Sequence, residues 1–272
     1  MTEMSSAPIV LVGAGNMGGA MLAGWLASDT DAGSLVIVDP APSPAVQVLI
    51  DKHGLRHEKT APSDVKAAIV FLAVKPQMME AVLPTLAGLI GDYTLCISIA
   101  AGTTVSTIQS FLGDISVVRA MPNTPAMVGR GITGAWANAA VSPVQRDFAD
   151  RMLSVTGPVE WVEDEPLIDA ITAVSGSGPA YVFYLVECMA EAGRRAGLDE
   201  DIAMRLARAT VSGAGELMHR SDDPAATLRK NVTSPGGTTA AALDVLMGDD
   251  AMQDLLTRAV AAAKKRAGEL AG

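Results

Sequence analysis

The first residues with a spacing suited to chemistry form a glycine-rich turn near the start of the sequence. The turn follows the aliphatic run PIVLVG and consists of Gly13, Ala14, Gly15, Asn16, Met17 and Gly18. In this spacing the first glycine permits a tight turn, the second lets the backbone approach a pyrophosphate, and the third lets helix and strand pack closely. A helix that begins here offers free amides to phosphate groups. This segment, the glycine turn, therefore predicts a dinucleotide site.

An acidic residue ends the second aliphatic run, LVIVD. Asp39 lies about 20 residues beyond the glycine turn, where a carboxylate would accept hydrogen bonds from the adenine ribose and repel a 2′-phosphate. This position favours NADH over NADPH, although Ser43 offers a hydroxyl to a phosphate in a segment without arginine. The alternative is that Asp39 only caps the helix that follows.

Small residues follow two later aliphatic runs. Ligands of open α/β sheets lie at the carboxyl ends of the strands, so these residues are candidates to lie against a dinucleotide. They are Ala73, Val74, Lys75 and Pro76 after one run, and Ala100, Ala101 and Gly102 after the next. Lys75 could reach the ribose or phosphates, or it could be an ordinary exposed loop lysine.

Two segments rich in Gly, Ser and Thr lie in the second half of the sequence, each ahead of a helical pattern. The SGSG segment is Ser175, Gly176, Ser177 and Gly178, and the SPGGTT segment is Ser234, Pro235, Gly236, Gly237, Thr238 and Thr239, preceded by Asn231. Such residues could be simple helix caps. Clustered hydroxyls and helix-start amides also form a neutral pocket that can grip a carboxylate, and their number favours a substrate site.

The elements that must position these residues change character along the chain. Five aliphatic runs, at 8–13, 35–39, 67–74, 93–100 and 115–122, are continuous rather than alternating, as in parallel strands buried on both faces. They predict a Rossmann-type, doubly wound α/β domain over residues 1–164, with weaker signals for edge strands at 131–139 and 158–163.

Residues 165–272 have a helical pattern, with long segments at about 179–196, 199–219 and 238–270. The segment PAYVFYLVECMAEAGRRAG is apolar nearly all round in its first turns, and such a helix must be covered on every side. We therefore expect an all-α domain that forms a dimer or a larger assembly. An internal helix of a monomer is the alternative.

Composition excludes several classes of function. The 272 residues are 49% hydrophobic with a formal charge of -10, which supplies ample material for a globular core and disfavours a nucleic-acid partner. Two cysteines in apolar stretches are expected to be buried free thiols, and three scattered histidines give no metal site. No apolar run is long enough for a membrane span, and the sequence start lacks a basic segment ahead of an apolar one, so a cytoplasmic location is expected.

With these motifs in place, the sequence resembles the pyrroline-5-carboxylate reductases. The matching segments are GAGNMGGAM, AVKPQMM, SIAAGTT, RAMPNTPAMVGRG, AVSGSGPAYVF and NVTSPGGTTAAAL, which run nearly end to end. The resemblance implies reduction of 1-pyrroline-5-carboxylate to L-proline by NADPH or NADH, and a helical dimerisation domain that often assembles further, to decamers. It does not transfer a cofactor preference, since the family varies around Asp39.

The resemblance also implies roles for residues. It places Thr239 beside the substrate ring nitrogen, and the SGSG and SPGGTT segments around the substrate, one of them possibly from a neighbouring subunit. It places Met121, Pro122 and Asn123 near the nicotinamide, with the other strand-end residues named above along the dinucleotide.

Two other functions agree with parts of the sequence. A β-hydroxyacid dehydrogenase shares the Rossmann-plus-helices plan but needs a lysine on the first helix of its second domain, and no lysine occurs from residue 76 through 229. A non-catalytic dinucleotide sensor would need the glycine turn alone and would have no use for the SPGGTT segment.

Overall fold

A computed structural model describes residues 7–271, which divide into two compact units. The first unit comprises residues 7–176 together with 263–271, and the second comprises Ser177–Ala262. Residues 165–176, which the sequence assigned to the helical domain, pack in the first unit because Glu165 and Asp169 form ion pairs with Arg119 there.

The first unit contains one sheet and its flanking helices. The strands are β1 (Ile9–Val12), β2 (Leu35–Val38), β3 (Arg56–Glu58), β4 (Ile69–Leu72), β5 (Leu95–Ser98), β6 (Ser116–Met121), β7 (Thr133–Ala137) and β8 (Val159–Trp161). The helices are α1 (Asn16–Ala27), α2 (Pro44–His53), α3 (Met79–Val82), α4 (Val105–Leu112), α5 (Pro143–Ser154) and α6 (Leu167–Ile171), the last followed by a π-helical turn, Thr172–Gly176.

The strand order is β3-β2-β1-β4-β5-β6-β7-β8, and neighbouring strands are parallel except for β6 and β7. The chain winds outward from β1 in one direction and from β4 in the other. The order therefore reverses between these two strands, which opens a crevice at their carboxyl ends. The expected doubly wound, mostly parallel sheet is confirmed. Strands form near residues 131–139 and 158–163 as expected, but only β8 lies at an edge, because β7 pairs with both β6 and β8.

Alternate residues of the central strands enter two separate cores. Val10 and Val12 pack with the helices on one face of the sheet, and Leu11 packs on the other. On the second face the Trp25 ring meets the Phe71 ring edge-on at 5.0 Å, and the Trp25 indole donates to the carbonyl of Met152 at 2.8 Å. Both faces of β1 are therefore covered, which explains why its sequence is continuously aliphatic.

The second unit is helical. Its elements are α7 (Gly178–Arg195), α8 (Glu200–His219), α9 (Ala225–Asn231), α10 (Thr238–Leu246) and α11 (Met252–Leu270), the last of which ends among the residues of the first unit. Helices α7 and α8 pack closely, since a Cβ added at Gly193 would lie 3.3 Å from the Cβ of Ala203. The single helical segment expected over 238–270 is wrong, because α10 ends before Gly248 and the chain turns through Asp250, whose φ is +53°.

The surface of the second unit carries large apolar side chains. Phe183 on α7 is 65% exposed and Val245 on α10 is 74% exposed. Patches of this kind mark surfaces that associate. Searched over residues 7–271, the chain has no helix that is long and apolar enough to cross a membrane.

The two cysteines differ in environment. Cys96 on β5 is fully buried, as expected, but Cys188 is exposed. The expectation for Cys188 is wrong for the single chain because its apolar neighbours along α7, such as Tyr184, are themselves exposed.

Candidate active site

The glycine turn is fixed by close contacts with its own backbone and with the end of β4. Gly13 has φ +92°, and a Cβ there would lie 2.8 Å from the carbonyl carbon and oxygen of Ala73. A Cβ on Gly18 would overlap the carbonyl oxygen of Gly13. Only glycine allows both approaches. The sequence-predicted roles of these two residues as turn and packing glycines therefore have direct physical causes in the structure.

The middle glycine faces open space. A Cβ added at Gly15 would find no atom within 4 Å among the residues described, and Gly15 is the N-cap of α1. No side chain in the described part of the chain caps this helix. The first amides of α1, beginning at Asn16, thus open onto a surface free of protein, which is the arrangement that a pyrophosphate requires.

Asp39 forms a hydrogen bond with the glycine turn. Its carboxylate accepts hydrogen bonds from the amide of Ala14 at 2.6 Å and from the amide of Ala41 at 2.8 Å. The N-cap of α2 is instead Ser43, whose hydroxyl accepts from the amide of Val46 at 3.4 Å. The alternative that Asp39 caps this helix is therefore wrong. Its predicted contact with a ribose stays a prediction.

The loops that follow β4 and β5 lie at the same edge of the sheet as the glycine turn. After β4, Ala73 and Val74 are half-buried while Lys75 is exposed. After β5, Ala100 is buried and Gly102 has φ +70°, and a Cβ at Gly102 would lie 3.0 Å from both the Cβ and the carbonyl oxygen of Leu270. The end of α11 thus packs directly on the loop at residues 100–102.

The loop after β6 contacts the start of the SGSG segment. The Asn123 side-chain amide donates to the Ser175 hydroxyl at 3.1 Å, and its oxygen accepts from the amide of Ile132 at 3.1 Å. A Cβ on Gly176 would lie 2.5 Å from the terminal methyl of Met121. The structure therefore brings residues 121–123 together with Ser175 and Gly176. The resemblance placed the first group near the nicotinamide and the second around the substrate.

The remaining substrate candidates belong to the second unit. Ser177 is the N-cap of α7, which begins at Gly178 and has Pro179 in its first turn. In the SPGGTT segment Gly236 has φ +68°, and the Gly237 amide donates to the carbonyl of Ser234 at 3.0 Å. This turn ends at Thr238 and Thr239 in the first turn of α10.

The backbone amides of the SPGGTT segment and of the helix that follows it differ in whether they are already hydrogen-bonded. The Gly237 amide is used within the turn, whereas no side chain caps α10 within residues 7–271. The amides of the first helical turn are thus better placed to meet a carboxylate than that of Gly237. Asn231, at the end of α9, is exposed.

Sequence reasoning missed one charged residue near these loops. Arg119 on β6 is only 3% exposed, and its guanidinium donates to Glu165 at 3.2 Å and to Asp169 at 2.9 Å. The run ISVVRAMP indicates such a residue, because a charged side chain interrupts an otherwise aliphatic strand and must be paired when it is buried. Its partners, Glu165 and Asp169, lie in an acidic stretch, and no sequence pattern predicted that this stretch would contact the strand.

In the described residues, no cluster of three or more His, Cys, Asp or Glu side chains is arranged to hold a metal ion.

Two family models and several known proteins are similar to this chain. The family model described as pyrroline-5-carboxylate reductase dimerisation matches residues 165–270, and the one described as NADP oxidoreductase coenzyme F420-dependent matches residues 8–102. The pyrroline-5-carboxylate reductase of Pseudomonas aeruginosa is 39% identical to this chain over 98% of both proteins.

Solved structures agree with these matches. A pyrroline-5-carboxylate reductase from Coxiella burnetii superposes with a TM-score of 0.89 at 34% identity, covering 98% of this chain and 99% of the other. The Plasmodium falciparum pyrroline carboxylate reductase, solved with NADP bound, gives a TM-score of 0.80 at 26% identity, covering 99% and 100%. The chain belongs to the pyrroline-5-carboxylate reductase family, whose members are NAD(P)-dependent oxidoreductases with a Rossmann-type domain and a helical dimerisation domain.

Proposed function

We propose that this chain reduces 1-pyrroline-5-carboxylate to L-proline, the last step of proline biosynthesis, with NADH or NADPH as the hydride donor. The observation that carries the proposal is a 39% identity that extends over 98% of the chain and so includes the glycine turn and the SPGGTT segment together. A sensor or a dehydrogenase of another class would share only the first of these.

The residues around the crevice suit a dinucleotide. The cofactor supplies a hydride when it is bound. The open face at Gly15 and the free amides of α1 would hold its pyrophosphate, and Asp39 and Ser43 would meet the adenine ribose. Residues 73–76, 100–102 and 121–123 line the rest of the same sheet edge.

On the substrate side we assign the SGSG segment, Asn231 and the SPGGTT segment. The helix-start amides of α10 and the hydroxyls of Ser234 and Thr238 would hold the substrate carboxylate. The Thr239 hydroxyl would donate a hydrogen bond, or pass a proton, to the ring nitrogen. These are roles that neutral groups perform without a cationic side chain.

This chemistry needs alignment more than it needs a strong acid or a nucleophile. Once the imine nitrogen has accepted a proton, the adjacent carbon is strongly electrophilic, so hydride adds to that carbon, the C=N bond becomes a C–N bond, and the nitrogen keeps its proton. The chain must hold the two reacting carbons at about 3 to 3.5 Å and exclude water.

The proposal extends to assembly and location. We propose that residues 165–272 act as the dimerisation domain, since the family model begins at residue 165 and the second unit exposes large apolar side chains. Further assembly, up to a decamer, and a cytoplasmic location complete the proposal.

A spectrophotometric assay tests this function. NAD(P)H absorbance is followed with racemic pyrroline-5-carboxylate, and NAD(P)+ reduction is followed separately with 3-hydroxyacids. We expect turnover with the imine only. Turnover with a hydroxyacid alone would favour the β-hydroxyacid dehydrogenase alternative, and cofactor binding without any turnover would favour the sensor.

A further inference from the structure

The side chains of Arg119 and its partner Glu165 join three segments of the first unit. Arg119 Nη1 donates to Glu165 Oε1 and Arg119 Nη2 to Asp169 Oδ1, at 3.2 and 2.9 Å. Glu165 precedes α6 and Asp169 lies within it. The same Glu165 oxygen accepts from the amide of Val105 at 2.9 Å, and Val105 is the first residue of α4.

Each of these segments leads into a candidate loop of the site. Arg119 lies two residues ahead of the loop at 121–123, α4 begins three residues after the loop at 100–102, and α6 continues into the π-helical turn that carries Ser175. The hydrogen bond between Asn123 and Ser175 links two of the same loops a second time. The buried guanidinium links β6 to α6 directly, and Glu165 extends this link to the first residue of α4, so the bases of all three loops are connected.

Stability alone gives a poor account of this arrangement. Removing a guanidinium and two carboxylates from water is costly, and well-packed apolar residues of similar volume often stabilise a fold equally well or better. Moreover, within residues 7–271 the buried Nε of Arg119 has no hydrogen-bond partner, which adds to the cost. Together, Arg119, Glu165 and Asp169 form directional hydrogen bonds between three chain segments, which apolar side chains cannot do.

We propose that Arg119 is a positioning residue for hydride transfer: held by Glu165 and Asp169, it sets the relative placement of the loops at 100–102, 121–123 and 175–176. The proposal rests on the proposed reductase function. The resemblance places residues 121–123 near the nicotinamide, and the loop at 175–176 belongs to the segment assigned to the substrate. An error of about 1 Å in such placement can slow a reaction a hundredfold.

Two conservative kinds of variant separate this role from simple stabilisation. Arg119→Lys keeps the charge, but one ammonium cannot span two carboxylates as a planar guanidinium does. Glu165→Gln and Asp169→Asn keep an oxygen that can accept from Arg119 and remove one charge each. Arg146→Lys is the matched control, since Arg146 is an exposed arginine stacked on the Trp161 ring at 4.5 Å, remote from these loops in sequence.

The first readout is amide hydrogen–deuterium exchange of the folded protein without cofactor. We expect Arg119→Lys to raise exchange roughly tenfold in peptides covering residues 100–104, 121–125 and 172–177, while exchange in the glycine turn stays unchanged. Arg146→Lys should match the wild type throughout.

The second readout is the deuterium isotope effect on kcat with NADPH labelled at both C4 positions. We expect kcat of Arg119→Lys to fall about ten- to a hundredfold with KM for NADPH changed less than threefold, and the isotope effect to rise as the hydride step becomes slower. A lower content of folded enzyme would reduce the rate without changing the isotope effect. Glu165→Gln and Asp169→Asn should shift both quantities in the same direction by smaller factors.

Unchanged loop exchange together with an unchanged isotope effect in Arg119→Lys would overturn the positioning role, whatever happened to the melting temperature. If that variant does not fold, wild-type isotope effects and wild-type exchange in both carboxylate variants would overturn it. A wild-type protein that does not turn over the imine would instead overturn the proposed function, and the positioning role with it.

Discussion

Gly15 and Gly18 are three residues apart in the glycine turn, but their surroundings predict opposite consequences for substitution. Gly15→Ala adds a methyl group into space free of protein, where the pyrophosphate is expected, so it should weaken NAD(P)H binding at least tenfold and leave the melting temperature unchanged. Gly18→Ala forces a methyl group against the Gly13 carbonyl and should cost about 1 to 3 kcal/mol of folding free energy. Fluorescence titration and thermal unfolding of both variants measure these effects.

Each of the two variants is the control for the other. Loss of stability in Gly15→Ala, with cofactor affinity retained, would show that the open face of the turn is not where the dinucleotide lies.

Asp39 should set a modest preference for NADH. Replacing Asp39 with Asn keeps an oxygen for the Ala14 amide and removes the charge. Because repulsion between like charges near a protein surface is about 1 kcal/mol or more, the ratio of kcat/KM for NADPH to that for NADH should rise about tenfold. Asp51→Asn, which neutralises an exposed carboxylate on α2, should leave the ratio unchanged. Wild-type selectivity for NADPH above a hundredfold would contradict the proposed ribose contact.

Thr239 is the residue proposed to meet the ring nitrogen. Thr239→Ala removes the hydroxyl and should lower kcat/KM by about ten- to a hundredfold, corresponding to roughly 1 to 3 kcal/mol of transition-state stabilisation. Thr239→Ser keeps the hydroxyl and should retain most of the activity. Steady-state kinetics with the imine measure both, and an unaltered kcat/KM in Thr239→Ala would reject the role.

At the scale of elements, strand β5 carries a thiol whose burial should make stability depend on alkaline pH. Burial raises the pKa of the Cys96 thiol from 9.0 to about 12. The unfolded chain therefore loses this proton at a lower pH than the folded one, so the stabilising contribution is complete below pH 9 and disappears as the pH rises toward 12. We expect the melting temperature of Cys96→Ala to fall less over this range than that of the wild type.

The matched control for that measurement is Cys188→Ala, because Cys188 is exposed. Its alkaline slope should keep the Cys96 contribution and differ from the wild type only through Tyr184, because the hydrogen bond with Cys188 raises the pKa of that phenol. Identical alkaline slopes for all three proteins would mean that the Cys96 proton does not contribute.

The sequence predicted those elements whose residues carry a continuous signal. Strands β1, β2, β4 and β5 are buried on both faces, so each appears as an aliphatic run. Strand β3 was missed because an edge strand of sequence Arg-His-Glu has no such run. The separation of α10 from α11 was missed because Met and Ala continue the helical composition on both sides of the turn, and only residues 248–250 interrupt it.

The site was predicted where a function requires a particular residue type at a fixed spacing. The glycine turn is such a case, because Gly13 and Gly18 each meet a separate steric demand. Long-range pairing gave no comparable signal: the bond between Asn123 and Ser175, and the ion pairs of Arg119, join residues from distant parts of the sequence. No local pattern encodes which partners a fold will bring together.

At the scale of the whole molecule, association should depend on the exposed apolar face of the second unit. Phe183→Glu places a charge where a ring that is 65% exposed in the single chain would be covered. Since burying such a side chain contributes about 1.5 to 3 kcal/mol, dimer dissociation constants should rise about ten- to a hundredfold. Sedimentation velocity over a concentration series measures the shift.

The control on the first unit is Val48→Glu on α2, at a valine that is 63% exposed. It should leave association unchanged. A protein that sediments as a monomer before any substitution would contradict the role assigned to this face.

The contact of Leu270 with the Gly102 loop has a consequence for how the protein is made. The first unit incorporates residues from both sides of the second unit in sequence, so a nascent chain that has completed the whole sheet still lacks the segment that covers one of its loops. Closing a contact across more than half of the polypeptide is slow compared with forming neighbouring helices. The dinucleotide crevice should therefore mature last during synthesis, and a ribosome-bound sheet should carry this loop uncovered until α11 has emerged.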